Sequence, residues 1–364
     1  MGLKIGITGL PNVGKSTLFN ALTRSSGAAA ANYPFCTIEP NIGLVEVPDE
    51  RLTKLSELVK PEKVIPTVVE FVDIAGLVRG ASKGEGLGNA FLSHIREVDA
   101  ICHVIRVFTA ADVIHVEGST DPKRDREIIE AELIIADLDV VQKRINRVSG
   151  GARSGGEEEQ KELAVLQAIE KQLNAGAFAM SAPLDEQQQR IARSLTLLTS
   201  KPFLYALNAS EQQLSELSLD EARQMAGLRQ ADQAILVSAK LEEELVSLKP
   251  DEAGAMLHEL GVKSSGLDKL IRAAYDTLGL ITFFTAGPKE VRAWTVIRGT
   301  KAPQAAGVIH SDFERGFIRA ETIAYKDFME TGSEAKAREQ GKLGIEGKDY
   351  VVQDGDIMHF RFKV

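Results

Sequence analysis

The sequence Gly9-Leu10-Pro11-Asn12-Val13-Gly14-Lys15-Ser16-Thr17 fits the pattern G-x-x-x-x-G-K-[ST] of phosphate-binding loops. A short apolar stretch, residues 3–8, predicts a strand before it, and residues 18–22 predict a helix after it. In this setting, backbone N–H groups cradle phosphate oxygens at the positive end of the helix. The Lys15 ammonium would then reach the β- and γ-phosphates, and the Ser16 hydroxyl would bind Mg²⁺. The stretch therefore predicts a binding site for a nucleoside triphosphate.

Length and composition narrow the class of protein. The chain has 364 residues, more than a single domain of about 100–200 residues usually contains, so two or three domains are expected. Hydrophobic residues make up 44% and charged residues 26%, which is ordinary for a globular protein in water. The net charge of −9 argues against unspecific coating of nucleic acid, although a local RNA-binding face is compatible with it. DNA is not an expected partner.

The cysteines and the apolar segments indicate the compartment. Only Cys36 and Cys102 are present, so neither a disulfide framework nor a cysteine zinc site is expected. No run of about 18 apolar residues predicts a membrane span, and the amino terminus enters a strand too early for a signal peptide. We expect a cytoplasmic protein that has no membrane partner.

A second anchor for Mg²⁺ is predicted at the end of an apolar stretch, residues 64–72. The sequence Asp73-Ile74-Ala75-Gly76 follows, in which the Asp73 carboxylate would hold Mg²⁺ through water and the Gly76 amide would contact the γ-phosphate. Thr37, in the loop formed by residues 32–40, would complete the metal shell with its hydroxyl group. The glycine-rich residues 80–88 lack a directly preceding strand, which favours a switch ordered by the γ-phosphate over a dinucleotide-binding turn.

Base recognition is expected from two later loops. A predicted strand, residues 202–207, ends in Asn208-Ala209-Ser210-Glu211, where guanine-specific proteins carry Asn-Lys-x-Asp. The longer Glu211 side chain displaces the carboxylate that would bind guanine, so strict guanine recognition is lost. We expect a backbone carbonyl and amide near Asn208 and Ala209 to bind adenine instead, and Glu211 to stay solvated. The residues Ser238-Ala239-Lys240 resemble a loop that backs the base in proteins with the Asn-Lys-x-Asp motif, and this resemblance implies the same role here.

Together these patterns define the predicted site. The catalytic candidates are Lys15, Gly76 and His115, and the candidate metal ligands are Ser16, Thr37 and Asp73. The residues predicted to bind ATP are Asn12, Val13, Gly14, Lys15, Ser16, Thr17, Asn208, Ala209, Ser238 and Ala239.

The group that orients the attacking water is left open by the sequence. Many GTPases place a glutamine directly after D-x-x-G, but here Leu77 occupies that position and offers no hydrogen bond. His115, in a loop after a predicted strand at 100–106, titrates near neutral pH and is one candidate. Asn12 is the other, because it matches an asparagine that holds K⁺ in some related GTPases. Slow intrinsic turnover is the remaining alternative.

The predicted fold class is α/β: a P-loop NTPase domain, with a mostly parallel sheet and helices on both faces, interrupted by an antiparallel helical hairpin. Apolar residues spaced by three to five positions predict helices at 126–148 and 157–173, separated by a glycine-rich break. From about residue 281 the pattern changes to short alternating strands. The expected ranges are 1–125 and 199–280 for the nucleotide-binding domain, 126–198 for the helical arm and 281–364 for a C-terminal domain.

The order and spacing of these motifs resemble the translation-factor-related P-loop GTPases and, more narrowly, the YchF family of Obg-like ATPases. The resemblance covers essentially the whole chain and is carried by residues 9–17, 32–40, 73–89, 208–211, 285–294 and 354–360. It implies that residues 281–364 form a β-grasp-like TGS domain and that the helical arm is coiled-coil-like. It also implies a preference for ATP over GTP, dependence on Mg²⁺ and association with ribosomes or stress responses.

The function expected from the sequence is that of a slow, Mg²⁺-dependent ATPase that acts as a nucleotide-operated switch. The resemblance implies docking on ribosomes, either the large subunit or the 70S particle, through ribosomal RNA or ribosomal proteins. Two alternatives stay open: a GTPase of the Obg type, and a metabolic enzyme that uses ATP to activate a small substrate. The switch is favoured because two accessory docking domains are predicted, whereas no acceptor-binding motif or nucleophile is found outside the P-loop set.

Overall fold

The computed structural model describes residues 3–25, 41–74, 86–108, 120–262 and 264–363, with side chains except those of residues 86–90 and 250. The strands are β1 (Lys4–Thr8), β2 (Ile42–Glu46), β3 (Lys63–Ile65), β4 (Val68–Asp73), β5 (Ala100–Arg106), β6 (Phe203–Asn208), β7 (Ala234–Val237), β8 (Leu280–Ala286), β9 (Glu290–Ile297), β10 (Phe317–Ile323), β11 (Gly344–Glu346) and β12 (Ile357–Phe362). The helices are α1 (Lys15–Ser25), α2 (Glu50–Val59), α3 (Gly86–Glu97), α4 (Pro122–Arg153), α5 (Glu157–Asn174), α6 (Glu186–Ser194), α7 (Glu211–Glu216), α8 (Leu219–Met225), α9 (Ala239–Val246), α10 (Pro250–Glu259), α11 (Gly266–Thr277), α12 (Ala302–Ile309), α13 (Ser311–Arg315), α14 (Tyr325–Thr331) and α15 (Glu334–Glu339). Within these residues, no helix combines the length and the apolar composition needed to cross a bilayer.

The phosphate-binding loop follows a strand of a six-stranded sheet with the order β2-β4-β1-β5-β6-β7. β1, β5, β6 and β7 pair in parallel, so their carboxyl ends meet at the same edge. Every residue of β5 is buried, as expected for a central strand covered by helices on both faces. The predicted α/β architecture with a P-loop domain is confirmed. Ligands of such sheets bind at the carboxyl edge, which here includes Thr8, Asn208 and Val237.

A long helical hairpin interrupts the sheet between β5 and β6. It consists of α4 and α5, which are joined by residues 154–156, and Gly155 takes a positive φ of 91° in this turn. The interface completely buries the side chains of Val141, Val165, Leu166 and Ile169. The predicted helical hairpin is confirmed, and its apolar stripes pack the two helices against each other.

α4 extends beyond its predicted range at both ends. Asp121 caps its amino end, and Pro122 occupies the first turn, where the missing N–H group costs no helical hydrogen bond. At the other end, residues 150–151 remain helical although both are glycines, because the neighbouring Val148 and Ala152 are buried. Burial thus outweighs the low helix propensity of glycine, which is about 1 kcal/mol per residue less favourable than that of alanine.

The C-terminal part of the chain forms a second sheet, with the order β11-β10-β12-β8-β9-β3. β8 pairs with β9, and β10 with β12, in antiparallel fashion, whereas β3 comes from early in the chain and pairs in parallel with β9. α2 packs here as well, since Leu52 and Leu55 share an apolar core with Phe284 and Ile357. The predicted β-rich C-terminal domain is confirmed, but it incorporates a segment that precedes β4.

The chain divides into two compact units. One holds the described residues within 1–25, 38–43 and 71–270, and the other holds those within 44–70 and 271–364. These units do not coincide with the ranges 1–125, 126–198, 199–280 and 281–364 expected from the sequence, because β3 and α2 find their partners in the second sheet. No local pattern in residues 44–70 shows this pairing, since it joins Lys63 to Glu290.

Candidate nucleotide-binding site

The loop between β1 and α1 has a backbone that requires glycine at two positions. Gly9 has a φ of 154° and Gly14 a φ of 96°, values that L side chains rarely adopt. Space is also lacking, because a Cβ atom at Gly9 would collide with the Val104 carbonyl group and one at Gly14 with the Asn208 side chain. The predicted strand–loop–helix unit is therefore present, and the loop leads into the amino terminus of a helix, where phosphate groups bind.

Lys15 is buried at this loop despite its charge. Only 8% of the residue is exposed, and its Nζ atom donates a hydrogen bond of 2.7 Å to the Leu10 carbonyl oxygen. Burial lowers the pKa of Lys15 from 10.5 to about 8, and attraction to the Asp73 carboxylate partly offsets this effect. The loop's own backbone thus holds the ammonium group, and a phosphate oxygen can replace the Leu10 carbonyl oxygen as the acceptor of its hydrogen bond.

Asp73 and Ser16 offer the oxygen atoms expected of a magnesium site. Asp73 is the last residue of β4 and is partly buried; burial raises the pKa of its carboxyl group, while the nearby Lys15 ammonium lowers it. Ser16 is the second residue of α1 and is exposed, so its hydroxyl group is open to a ligand. Carboxylate and hydroxyl oxygens are ligands that Mg²⁺ takes together with water and phosphate oxygens. The chemistry of these residues fits that metal.

A buried side chain joins the phosphate-binding loop to the loop predicted to back the base. Asn208 is 3% exposed, and its Nδ2 atom donates to the Val13 carbonyl oxygen at 2.8 Å. Its Oδ1 atom accepts a hydrogen bond of 2.9 Å from the Ala239 amide. Ser238 caps α9 with its hydroxyl group. Three predicted residues that are far apart in the sequence, Val13, Asn208 and Ala239, are therefore in direct contact.

The hydrogen bonds around Ala209 differ from the predicted ones. The Ala209 amide donates to the Val237 carbonyl oxygen at 2.8 Å, and the Asn208 carbonyl oxygen accepts from the Val107 amide at 2.9 Å. Both groups complete the sheet, so the Ala209 amide does not serve adenine N1 in this arrangement. The Ala209 side chain is also buried, with 2% exposed. An adenine base here requires a different N–H donor.

Glu211 has a partner and is not simply solvated, which corrects that expectation. It is the first residue of α7, and its Oε1 atom lies 3.5 Å from the Lys240 Nζ atom. Lys240 is the lysine of the predicted Ser-Ala-Lys loop, so the ion pair connects the two loops assigned to the base. Such partly exposed pairs contribute at most about 1 kcal/mol to stability. Their effect here is to direct the Glu211 carboxylate towards a protein cation.

Some predicted site residues lie outside the described part of the chain: Thr37, Gly76, Leu77, His115 and residues 80–85 of the glycine-rich segment. Asn12 and Thr17 are described. Asn12 is exposed and takes a φ of 62°, and Thr17 is partly buried within the first turn of α1. The roles predicted for these residues stay predictions.

Sequence reasoning missed a buried polar pair directly before the loop. Thr8 on β1 and His103 on β5 are neighbours in register and are 0% and 1% exposed. Thr8 Oγ1 and His103 Nδ1 find no hydrogen-bond partner within the described ranges. Burial lowers the pKa of His103 to about 3, with Arg126 and Lys15 adding to the effect, so the imidazole is neutral at physiological pH. A histidine in the middle of a largely apolar strand was the available signal.

Two family models match this chain. A family model described as a 50S ribosome-binding GTPase matches residues 4–149, and a model of the YchF GTPase C-terminal domain, described as a protein of unknown function, matches residues 280–363. Proteins named ribosome-binding ATPase YchF are similar over 100% of both chains. The chain is 55% identical to that of Bacillus subtilis, 52% to that of Haemophilus influenzae and 50% to that of Escherichia coli O157:H7.

A solved structure is similar in fold as well as in sequence. The structure of the Schizosaccharomyces pombe YchF GTPase has a TM-score of 0.89 to this chain and is 41% identical to it. The match covers 99% of this chain and 98% of the other. Because full-length relatives share half or more of its residues, the chain belongs to the YchF family of P-loop proteins.

Proposed function

We propose that this chain binds and slowly hydrolyses ATP with Mg²⁺, releasing ADP and phosphate, and uses the nucleotide as a switch for binding ribosomes. The observation that carries the proposal is the loop between β1 and α1, whose backbone requires glycine at two positions and which holds a buried Lys15 near Asp73. The names of its full-length relatives, ribosome-binding ATPases, support the choice of nucleotide and of partner. The particle is the large subunit or the 70S ribosome, contacted through ribosomal RNA or ribosomal proteins, which puts the protein in the cytoplasm.

In this proposal Lys15 exchanges its bond to the Leu10 carbonyl oxygen for the β- and γ-phosphates. Its pKa of about 8 in the free protein leaves most of the side chain protonated at pH 7, and phosphate charge favours that form further. Ser16, Thr37 and Asp73 would hold Mg²⁺, and the Gly76 amide would contact the γ-phosphate. When bound, the metal neutralises charge on the phosphate oxygens.

Asn208 supports the base site by keeping two loops at a fixed separation. Because it bonds both the Val13 carbonyl group and the Ala239 amide, the phosphate-binding loop and the Ser-Ala-Lys loop move together. We propose that adenine lies against Ser238, Ala239 and the Asn208–Ala209 backbone, with an N–H donor other than that of Ala209.

ATP should bind about ten- to a hundredfold more tightly than GTP. Guanine presents N1–H and N2–H₂ donors, while the neighbouring Glu211 carboxylate faces Lys240, and an unpaired donor costs about 1–3 kcal/mol. Competition of ATP and GTP against labelled ATP measures the ratio. Equal or tighter binding of GTP would support the alternative, a GTPase of the Obg type.

A variant at Glu211 sharpens this test. Glu211→Asp shortens the side chain to the length used by guanine-specific proteins and should raise GTP affinity relative to ATP. Glu216→Asp makes the same chemical change at an exposed position of α7 and should leave the ratio unchanged. Introducing the lysine of the Asn-Lys-x-Asp motif at Ala209 is unsuitable, because that side chain is buried. If Glu211→Asp does not shift the ratio, the base is recognised elsewhere.

Turnover with and without ribosomes tests the switch. Stimulation of ATP hydrolysis by 70S ribosomes or isolated large subunits is expected, and small subunits serve as the comparison. Stimulation by a small metabolite and by no ribosomal particle would instead favour an enzyme that activates a small substrate.

We further propose that His115 or a K⁺ ion held by Asn12 orients the attacking water, because Leu77 has no hydrogen-bonding side chain. His115→Ala should then slow hydrolysis while ATP affinity stays the same, since the residue acts near the transition state. Exchange of K⁺ for Na⁺ should slow hydrolysis if Asn12 holds the ion. If neither change affects the rate, both groups are excluded and slow intrinsic turnover is left.

A further inference from the structure

A groove on the helical arm carries a concentration of positive charge. It has a volume of about 1040 Å³ and is lined by residues of α3, α4 and the end of α6. Its cationic residues are Arg96 on α3 and Lys143, Arg144 and Arg147 on α4, and Asp139 is the acidic residue among those that line it. None of the described residues named for the nucleotide site lines this groove.

The groove is lined by both basic and apolar side chains. Lys143 and Arg147 are one helical turn apart, so they project from the same face of α4. Its apolar lining residues include Leu92 on α3, Ala136 and Val140 on α4, and Leu195 directly after α6. The Lys143 side chain is 76% exposed and that of Arg144 39%. Their charged groups are therefore open to a partner.

Acidic neighbours balance only part of this charge. Lys143 lies 2.7 Å from Asp139, and Arg144 lies 2.5 Å from Glu162 on α5. The Lys143–Asp139 pair is exposed to solvent on both sides and is therefore weak, whereas the Arg144–Glu162 pair is partly buried. The four cations exceed the three carboxylates that lie near them, Asp139, Glu162 and the buried Asp137, although the whole chain carries a net charge of −9. The positive surface is thus local, which favours a specific partner over unspecific adsorption.

The wall formed by α4 is fastened to the short helical turn that precedes β6, Leu198–Ser200. The buried Asp137 carboxylate accepts hydrogen bonds from the Leu198 amide at 2.9 Å, the Thr199 amide at 2.8 Å and the Thr199 hydroxyl group at 2.6 Å. Burial raises the pKa of Asp137, and Arg96 on the opposite wall is close enough to offset part of this rise. The groove is therefore preformed, and a partner that enters it spends little free energy on ordering its walls.

We propose that this groove binds the sugar–phosphate backbone of ribosomal RNA. The proposal rests on the proposed ribosome-binding function and names RNA, rather than a ribosomal protein, as what contacts this surface. Charge complementarity carries it, since exposed lysine and arginine side chains are the groups that contact phosphate oxygens. Among the described side chains that line the groove there is no aromatic residue, which favours the backbone over stacked bases.

The double variant Lys143→Gln, Arg147→Gln tests the proposal. Binding is measured to 70S ribosomes and to deproteinised ribosomal RNA over a range of salt concentrations. Each phosphate contact contributes about 0.9 to the slope of log affinity against log salt, and about fivefold in affinity near 0.15 M salt. The variant should lose about thirtyfold in affinity for both partners, and its salt slope should be shallower by about 2.

The matched control is Lys161→Gln, Lys171→Gln, which removes the same charge from exposed positions of α5 outside the groove and should change neither quantity. Unchanged affinity and slope in the groove variant would overturn the proposal and leave the ribosome-binding ATPase standing. Weaker binding to ribosomes with unchanged binding to free RNA would also overturn it, in favour of a ribosomal protein. Absence of ribosome binding by the unmodified chain would overturn the proposed function itself.

Discussion

Replacing Lys15 with alanine should lower ATP affinity or turnover at least about tenfold, which corresponds to roughly 1.4 kcal/mol. The Lys15 ammonium is the buried cation of the phosphate-binding loop, and hydrogen bonds to charged groups are worth about 1.5–3 kcal/mol. Isothermal titration with ATP and Mg²⁺ measures the affinity, and phosphate release measures turnover. The control Lys54→Ala removes an exposed lysine of α2 and should alter neither.

The pH dependence of ATP affinity checks the same group independently. Because burial lowers the pKa of Lys15 to about 8 in the free protein, the neutral amine gains population above that pH. ATP affinity of the unmodified chain should therefore fall as pH rises through about 8, and Lys15→Ala should lack this fall. Wild-type affinity and turnover in Lys15→Ala would show that the loop does not bind phosphate.

Replacing Asn208 with alanine should both destabilise the protein and weaken ATP binding. The substitution leaves the Val13 carbonyl oxygen and the Ala239 amide without the partner they share, at about 1–3 kcal/mol for each buried group. The combined cost of about 2–6 kcal/mol should appear in the free energy of unfolding, measured by urea, and in ATP affinity, measured by titration. The second effect arises because the two loops are no longer held together.

The variant Asn208→Asp distinguishes the effects of the two hydrogen bonds that the Asn208 side chain makes. The aspartate keeps an oxygen acceptor for the Ala239 amide, but its other oxygen faces the Val13 carbonyl oxygen and repels it. This variant should therefore disturb the phosphate-binding loop more than the Ser-Ala-Lys loop. Asn20→Ala, at an exposed position of α1, is the matched control and should be neutral. An Asn208→Ala protein with unaltered stability and affinity would contradict the connection we assign to this residue.

Several features could be predicted from the sequence because their determinants are local. The strand–loop–helix unit depends on Gly9, Gly14 and Lys15, which lie within seven residues, and on the apolar stretches that flank them. The helical hairpin depends on apolar side chains that repeat at helical spacing and on a glycine at the turn. Family resemblance could be recognised for the same reason, since it is carried by short motifs in a fixed order.

Other features required the folded chain, because they depend on partners distant in sequence. Asn208 connects Val13 to Ala239, Glu211 faces Lys240, and residues 44–70 join the C-terminal sheet through β3 and α2. The Ala209 amide belongs to the sheet for the same reason, although its position in the motif suggested adenine. A backbone amide or a side-chain carboxylate can satisfy its hydrogen bonds in several ways. Packing of the whole sheet selects one of them, and no pattern of neighbouring residues encodes that choice.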